Sequence, residues 1–466
     1  MSWKNNVHLS AITQALSTFS SATSNMHGWV LRATASEGRQ SLMMSKRDNQ
    51  IYVYQDRTVA EESFQVELYV PSADGTQMGT AKGSLDPVAN IENQLVTLHQ
   101  NAQLALNTYF ELPDKPDAPY ADVQAADPDI VADIDGAHQK LIERVQHHCS
   151  TLTGAIVNSA ELFINKHSKY MVSSKGIETE QETTDLYFEV AMEKAPGPND
   201  QEVLKYWNFI GLKDADIETK LDSVVRETLL TEKATVPPMR DSAVILVESY
   251  AISKIIAALL AQANGSAEYA KGPHFKAGQS ICSVEPDSES DRLTVSIDPT
   301  VPQMAKTTAF TPDGLAAQGG VIINEGIVAT QIIDARMAQY LNTQANNIYG
   351  NSVVAIGTAS KAELLAQFDE VIEILDFSSL LVNPSTLTWS SEIKLGLLHR
   401  KDKPATVLKG GIASGDVKAS LASFKFSNET VKRNTSGGYF EAANGYVGPE
   451  HMLIWQGISI AGLEEA

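Results

Sequence analysis

The sequence is poor in cysteine, in basic charge and in long apolar runs. Two cysteines, Cys149 and Cys282, stand in 466 residues. That is too few for a disulfide framework, so both read as reduced thiols. Lys and Arg number 36 against 57 Asp and Glu, a formal net charge of −21. Such an excess of acid excludes a broad nucleic-acid or anionic-membrane surface, since both partners are polyanions. The most apolar unbroken stretch, residues 255–261, follows Lys254. It falls far short of the roughly 20 apolar residues of a spanning helix. The first 25 residues hold one lysine and no continuous apolar segment, so they do not read as a signal peptide. A cytoplasmic protein is expected, with no membrane and no direct nucleic-acid partner. What the chain does have is a globular balance, 43% hydrophobic and 20% charged. Its length suits about three units at roughly 150 residues each.

Leu9, Ile12, Leu16 and Phe19 recur at spacings of three and four, which predicts an amphipathic helix over residues 7–19. Short β-prone runs follow at 29–33, 41–44, 51–54 and 67–70. A second helical pattern opens at Pro87, carries Val88, Ile91, Leu95, Leu98, Ala102 and Ala105, and ends before Pro113. Residues 111–129 hold four prolines and many aspartates and read as a linker or long surface connection. The order then restarts. Leu141, Ile142, Val145 and Cys149 mark a helix over 137–149, and strand-like runs come at 160–164, 170–173 and 185–192. After a polar break at 194–201, Ile217, Leu221, Val224, Val225 and Leu229 mark another helix. Helix, strands and helix thus occur twice, about 120 residues apart, with Tyr69 and Tyr187 in similar places. The pattern is either an internal duplication or two unrelated α+β halves.

Pro237 and Pro238 mark the next boundary. The expected class is α+β: an N-terminal α+β domain over 1–236, with halves 1–112 and 130–236, and a β-rich domain over 237–466. In the latter, residues 244–247 are a buried strand or the first turn of a helix running to Gln262. Strands then dominate with few helices to cross between them, so mostly antiparallel pairing is expected.

No catalytic constellation emerges from the residues. None of the ten histidines is followed by Glu, so no helical H-E-x-x-H zinc motif exists. His147, His148 and Cys149 are adjacent, but neighbouring helical residues point about 100° apart and cannot easily grip one ion. His274, His399, His451 and Cys282 share the C-terminal half and could converge only through the fold. G-x-S-x-G, the Walker loop and G-x-G-x-x-G are absent. Gly410, Gly411 and Gly415 read as a β-turn region with no helix immediately after. No catalytic, cofactor-binding or metal residue is assigned, and no cofactor is expected.

The order of landmarks in the last 230 residues resembles the TldD/PmbA family, whose PmbA branch is also called TldE. LTVSIDPTVP (293–302) is similar to one family element. Residues 311–341, with Asn324-Glu325-Gly326 at their centre, resemble a second, and 350–374 a third. Residues 409–428 resemble the glycine turn and strand of a fourth, and Ser173-Ser174-Lys175-Gly176 echoes an N-terminal turn. The resemblance implies an α+β N-terminal domain and a β-rich C-terminal domain in a dimer. It also implies a paired system in which a TldD-type subunit carries an H-E-x-x-x-H zinc motif and its TldE/PmbA-type partner does not. The pair cleaves peptides, is thought to admit unfolded chains only, and carries an older label as a modulator of DNA gyrase. The corresponding helix here, near residues 247–258, contains Glu248 and no histidine. The family's zinc ligands therefore do not carry over, and Glu248 is expected to cap or hydrogen-bond. The sequence reads as a TldE/PmbA-like, non-catalytic subunit that holds extended peptides. Its expected partner is a zinc-bearing TldD-type subunit or a second copy, with Asn324-Glu325-Gly326 as a candidate groove turn. One alternative is a stand-alone metallopeptidase or hydrolase using His274, His399, His451 and Cys282. Another is a regulatory binding protein acting through protein contacts.

Overall fold

The computed structural model describes residues 3–45, 48–195, 202–435 and 444–464. The N-terminal half begins with helix α1 (Val7–Ala22), capped where the Asn6 side chain accepts from Leu9 N, and it buries Leu9, Ile12 and Leu16. Strands β1 (Gly28–Ser45), β2 (Ile51–Pro71) and β3 (Gln77–Ser84) follow, then α2 (Ile91–Leu104) and the short β4 (Leu106–Thr108). After α3 (Pro128–Ala132) the succession repeats: α4 (Ile134–Thr151), β5 (Ala155–Ser173), β6 (Glu178–Lys194), β7 (Glu202–Phe209) and α5 (Ile217–Thr231). The corresponding starts, Val7 and Ile134, Gly28 and Ala155, Ile51 and Glu178, share one interval of about 127 residues. β1 and β5 pair antiparallel with Gly38 opposite Asn165, so the two units meet about a local dyad near that pair.

The long strands replace several short runs of the sequence reading. The runs at 29–33 and 41–44 are the two ends of β1, and those at 51–54 and 67–70 are the ends of β2. Between them, residues 54–63 are largely exposed, so no period-two alternation marks them. Tyr69 and Tyr187 are not equivalent in register. Tyr69 faces Gly28 at the start of β1, whereas Tyr187 faces Phe163, well inside β5. The polar break at 194–201 lies mostly outside the described residues.

All four long helices cover one face of this sheet. α1 and α2 pack on Leu31, Ala33, Phe64, Val66 and Leu68. α4 and α5 pack on Leu162, Ile164, Leu186, Phe188 and Val190. The 111–129 connection binds the two halves of the chain together: Tyr120 donates its hydroxyl to Gly314 O at 2.5 Å, and Gln303 N donates to Gln124 O at 2.8 Å.

The C-terminal half opens with β8 (Ile245–Glu248) running directly into α6 (Ser249–Gln262), then α7 (Gly265–Tyr269). Next come β9 (Val295–Asp298), β10 (Gly320–Asn324), β11 (Ile327–Val328), α8 (Ala335–Tyr340), β12 (Asn351–Val354) and α9 (Lys361–Leu365). The remainder comprises β13 (Glu370–Phe377), β14 (Val382–Asn383), β15 (Thr388–Arg400), β16 (Thr406–Leu408), β17 (Ile412–Asp416) and α10 (Val417–Ser420), then β18 (Phe424–Phe426), β19 (Thr430–Thr435), β20 (Asn444–Pro449), β21 (His451–Ile454) and β22 (Ile458–Ala461). The Gly410–Gly415 region is therefore turn and strand, and a short helix does follow it at once, capped by Asp416. A helix of four residues, Val-Lys-Ala-Ser, is too short to leave a periodic trace in sequence.

Among the described residues, two sheets carry the fold. The nine-stranded sheet is C-terminal throughout and wraps the apolar α6, which buries Ala251, Ile252, Ile255, Ile256 and Leu259. The thirteen-stranded sheet runs through both halves, with β7 beside β19 joined at Asn208 and Asn434. In the C-terminal half β8–β13 and β12–β20 are parallel and the other strand pairs antiparallel. The fold class is α+β, as the composition of elements predicts. No described helix is long and apolar enough to cross a membrane.

A charged seam at the start of helix α6

The β7–β19 junction brings α5 against the mouth of β8 and α6. Lys205 of β7 places its Nζ 2.9 Å from Glu227 Oε2 on α5 and 2.9 Å from Asp376 Oδ2 on β13. Lys394 of β15 reaches the same Asp376 oxygen at 3.2 Å. Burial works against the Lys205 charge, yet the two carboxylates prevail and hold its pKa above the ordinary lysine value. A strand that alternates inward and outward residues puts this lysine under α5, where only a carboxylate pair can neutralise it.

Glu248 ends β8 and stands at the N-cap of α6, but its side chain makes no capping bond. The expectation that it caps is thus met in position and not in bonding. Its carboxyl is withdrawn from water, and that desolvation raises its pKa despite Arg433 and Lys205 nearby. Arg433 of β19 donates from Nε to Ser249 Oγ at 3.0 Å. Lys220 of α5 sits close to Arg433, and desolvation together with that like charge lowers its pKa. One turn along α6, Ser253 Oγ lies 3.3 Å from Thr435 Oγ1.

Behind the seam, on the α9 side of the nine-stranded sheet, a second polar group surrounds Glu373. This carboxylate is 3% exposed and receives His399 Nε2 at 2.8 Å and Lys361 Nζ at 2.6 Å. Desolvation pushes its pKa up, and the bonds from His399 and Lys361 outweigh that and leave it below the ordinary value. His451 is buried opposite Glu248 in the β8–β21 register, and its Nδ1 has no hydrogen-bond partner. Burial, with Lys361 nearby, lowers its pKa.

The candidate residues therefore divide. His399 and His451 share one polar region around Glu373. His274 turns away, with Nδ1 2.8 Å from Gly272 O, and Cys282 Sγ lies 3.3 Å from Leu421 O. Cys149 points into the core, where burial raises its thiol to about 12, while His148 Nε2 meets Asp222 Oδ1 at 2.8 Å on the outer face. Asn324-Glu325-Gly326 forms the β10–β11 turn at one end of the large sheet, with Glu325 and Gly326 at φ 49° and 81°. It is not adjacent in strand order to the seam.

The donor set fits no zinc of the family's kind. α6 begins Ser-Tyr-Ala-Ile-Ser and offers hydroxyls where imidazoles would have to stand. Every histidine and cysteine lies among the described residues, and there no three His, Cys, Asp or Glu side chains converge to hold a metal. Residues 436–443 contain neither His nor Cys in sequence. Sequence reasoning did not locate Lys205, Lys220, Glu227, Asp376 or Arg433. They come from four elements, and the only local signal was the charged residue within an otherwise apolar–aromatic strand at Lys205.

Residues 241–462 match the family model described as the PmbA/TldA metallopeptidase C-terminal domain. No curated protein matches the chain. Several solved structures share the fold. A protein from Bacteroides thetaiotaomicron described as a candidate modulator of DNA gyrase is similar at TM-score 0.74 with 16% identity, over 98% of this chain and 100% of that one. TldE from Thermococcus kodakarensis is similar at TM-score 0.70 with 15% identity, over 97% and 100%. A candidate gyrase modulator from Thermotoga maritima is similar at TM-score 0.72 with 12% identity, over 96% and 99%. The C-terminal half, residues 241–462, therefore belongs to the TldD/PmbA family of metallopeptidase-like proteins, and the fold of the TldE and gyrase-modulator structures extends along nearly the whole chain.

Proposed function

We propose that this chain is a TldE/PmbA-like subunit that carries no catalytic metal of its own and helps a zinc-bearing TldD-type partner hold extended peptides. The observation that supports it is the chemistry of α6. Its first turns present Ser249 and Ser253, and the adjoining charges are Arg433, Lys220 and the protonation-prone Glu248. A hydrolytic zinc needs two imidazoles or their equivalent and a carboxylate to take a proton from bound water. Here the carboxylate is present without the ligands. Hydroxyls, a guanidinium and an amine can instead hydrogen-bond the main chain and the charged side chains of a peptide laid along the seam. Extended peptides bind in this way with little sequence demand.

The test compares the isolated chain with the chain mixed with a TldD-type subunit, using an unstructured peptide. Cleavage should require the partner and be abolished by chelator, and this chain should increase the partner's turnover or peptide affinity. Chelator-sensitive cleavage by the isolated chain would overturn the assignment.

A further inference from the structure

The face of the N-terminal sheet opposite the helices carries a second constellation, remote from the family's zinc helix. Ser36 on β1 pairs in register with His167 on β5, and Asn165 pairs with Asp185 on β6. Residues paired directly across antiparallel strands project to the same face. Ser36 Oγ lies 2.7 Å from His167 Nδ1, and His167 Nε2 lies 2.6 Å from Asp185 Oδ2. Asn165 donates from Nδ2 to Asp185 Oδ1 at 2.8 Å and is buried against Gly38, where a Cβ would come within 2.3 Å of its Oδ1. A carboxylate only accepts, so Nε2 bears the proton, and in the neutral ring Nδ1 accepts from the Ser36 hydroxyl. The histidine and aspartate side chains are 24% and 37% exposed, so the relay is open to solvent.

From this geometry we infer that Ser36, His167 and Asp185 form a nucleophilic relay able to take an acyl group from a carboxylic ester onto Ser36. The three roles are those of a hydrolytic triad with the ring nitrogens exchanged, Nδ1 facing the serine and Nε2 the carboxylate. Ser36 Oγ bonds to the carbonyl carbon as its proton passes to His167 Nδ1, and Asp185 stabilises the imidazolium. Collapse breaks the bond to the alkoxy group, which leaves as the alcohol with the proton from Nδ1. Water then adds to the acyl-Ser36 carbonyl, giving a proton to His167. The acid departs and Ser36 Oγ regains that proton.

The surroundings supply the other requirements. Strand β1 is paired on both sides, so its main-chain N–H groups are committed to the ladder. A cation would have to meet the developing oxyanion; Lys169 stands two residues beyond His167 on the same face, where desolvation lowers its pKa and Asp185 opposes that shift. One row in the other direction, Phe163 and Tyr187 stack at 5.7 Å and Tyr187 and Tyr206 at 6.0 Å. Phe163 and Tyr187 are buried, so the row bounds the relay as an apolar wall.

The experiment treats the full chain, alone and with chelator present, with a fluorophosphonate probe and maps the adduct by mass spectrometry. A single adduct on Ser36 is expected. It should be lost in Ser36→Ala, and labelling should slow roughly a hundred-fold or more in His167→Gln. Asp185→Asn should slow labelling and leave the thermal unfolding midpoint in place, whereas loss of a purely structural aspartate would lower stability and labelling together. No adduct under prolonged excess probe, an adduct elsewhere, or undiminished labelling of folded His167→Gln overturns the inference. None of these outcomes bears on the peptide-holding role, which the partner assay reads separately.

Discussion

The two helix–sheet–helix units of the N-terminal half share a scaffold and carry different loads. The first unit's open face is closed by the C-terminal half. Arg32 donates to Pro312 O at 3.0 Å, Arg336 lies 4.4 Å from the Phe110 ring, and Phe110 and Tyr340 meet edge to face. The second unit's last strand and helix supply Lys205, Lys220 and Glu227 to the seam. An amphipathic sheet needs only one face for its helices. The other face is free to diverge, and here one copy has become an internal joint while its sibling sets His167 and Asp185 beside Ser36 of the first.

The largest effect expected from breaking this comparison is at the seam. Lys205→Met leaves Glu227 and Asp376 facing each other in a half-closed site without their shared cation. Removing one partner of a buried ion group costs about 3–5 kcal/mol, and Lys205 is 17% exposed with partners at 16% and 19%. The fall should lie near the lower end and appear in chemical denaturation. Arg32→Met, in the first unit's more exposed pair with Glu67, should cost about 1 kcal/mol or less.

A matched pair of core truncations tests whether the copies fold as one. Leu31 and Leu162 are both fully buried, beneath the helices of the first and second units. Leu31→Ala and Leu162→Ala should each cost about 3 kcal/mol. Because β1 and β5 pair along most of their length, both variants should lower the same unfolding transition. Separate transitions would show that the units fold independently.

Gly38 sits where the two units meet. Gly38→Ala would drive a methyl into Asn165, displacing a buried amide that also anchors Asp185. The expected loss is about 1–3 kcal/mol, with slower phosphonate labelling at Ser36 as the second readout.

How much of this was legible in sequence depended on burial of one face. α1, α4 and α5 show because their apolar residues recur at helical spacing over an exposed back. The ends of β1 and β2 show because helices cover them, and their middles vanish because residues 54–63 face water on both sides. The restart of the pattern near residue 134 was visible as order, while its register was not, which is why Tyr69 and Tyr187 were mismatched. Family likeness came through the order of the C-terminal landmarks. The lack of imidazoles on α6 was legible too, since it is a property of composition. The seam and the Ser36–His167–Asp185 relay were not. Each joins residues from three or more elements, and no spacing along one chain encodes a register between strands.

The smallest effect separates the units by acid. In α4 of the second unit, His138 is buried at 5% exposure with Nε2 unpartnered. In α1 of the first, the inward residues are aliphatic. Burial lowers the His138 pKa, although Asp56 and a hydrogen bond to the Leu162 main chain oppose the shift. The folded form therefore takes up this proton less readily than the unfolded chain. Its contribution to stability is present above the unfolded histidine value, about 6.5, and is lost as pH falls from there through the lowered folded value. His138→Leu removes this group, so denaturation between neutral and mildly acidic pH should show a shallower loss of stability than in the parent. Leu9→Val, an aliphatic change in the first unit, should shift the whole curve down without altering its slope. If both variants keep the parental slope, the acid response of the chain must arise from groups outside the α4 core, with the Glu373 cluster of the C-terminal half the next to examine.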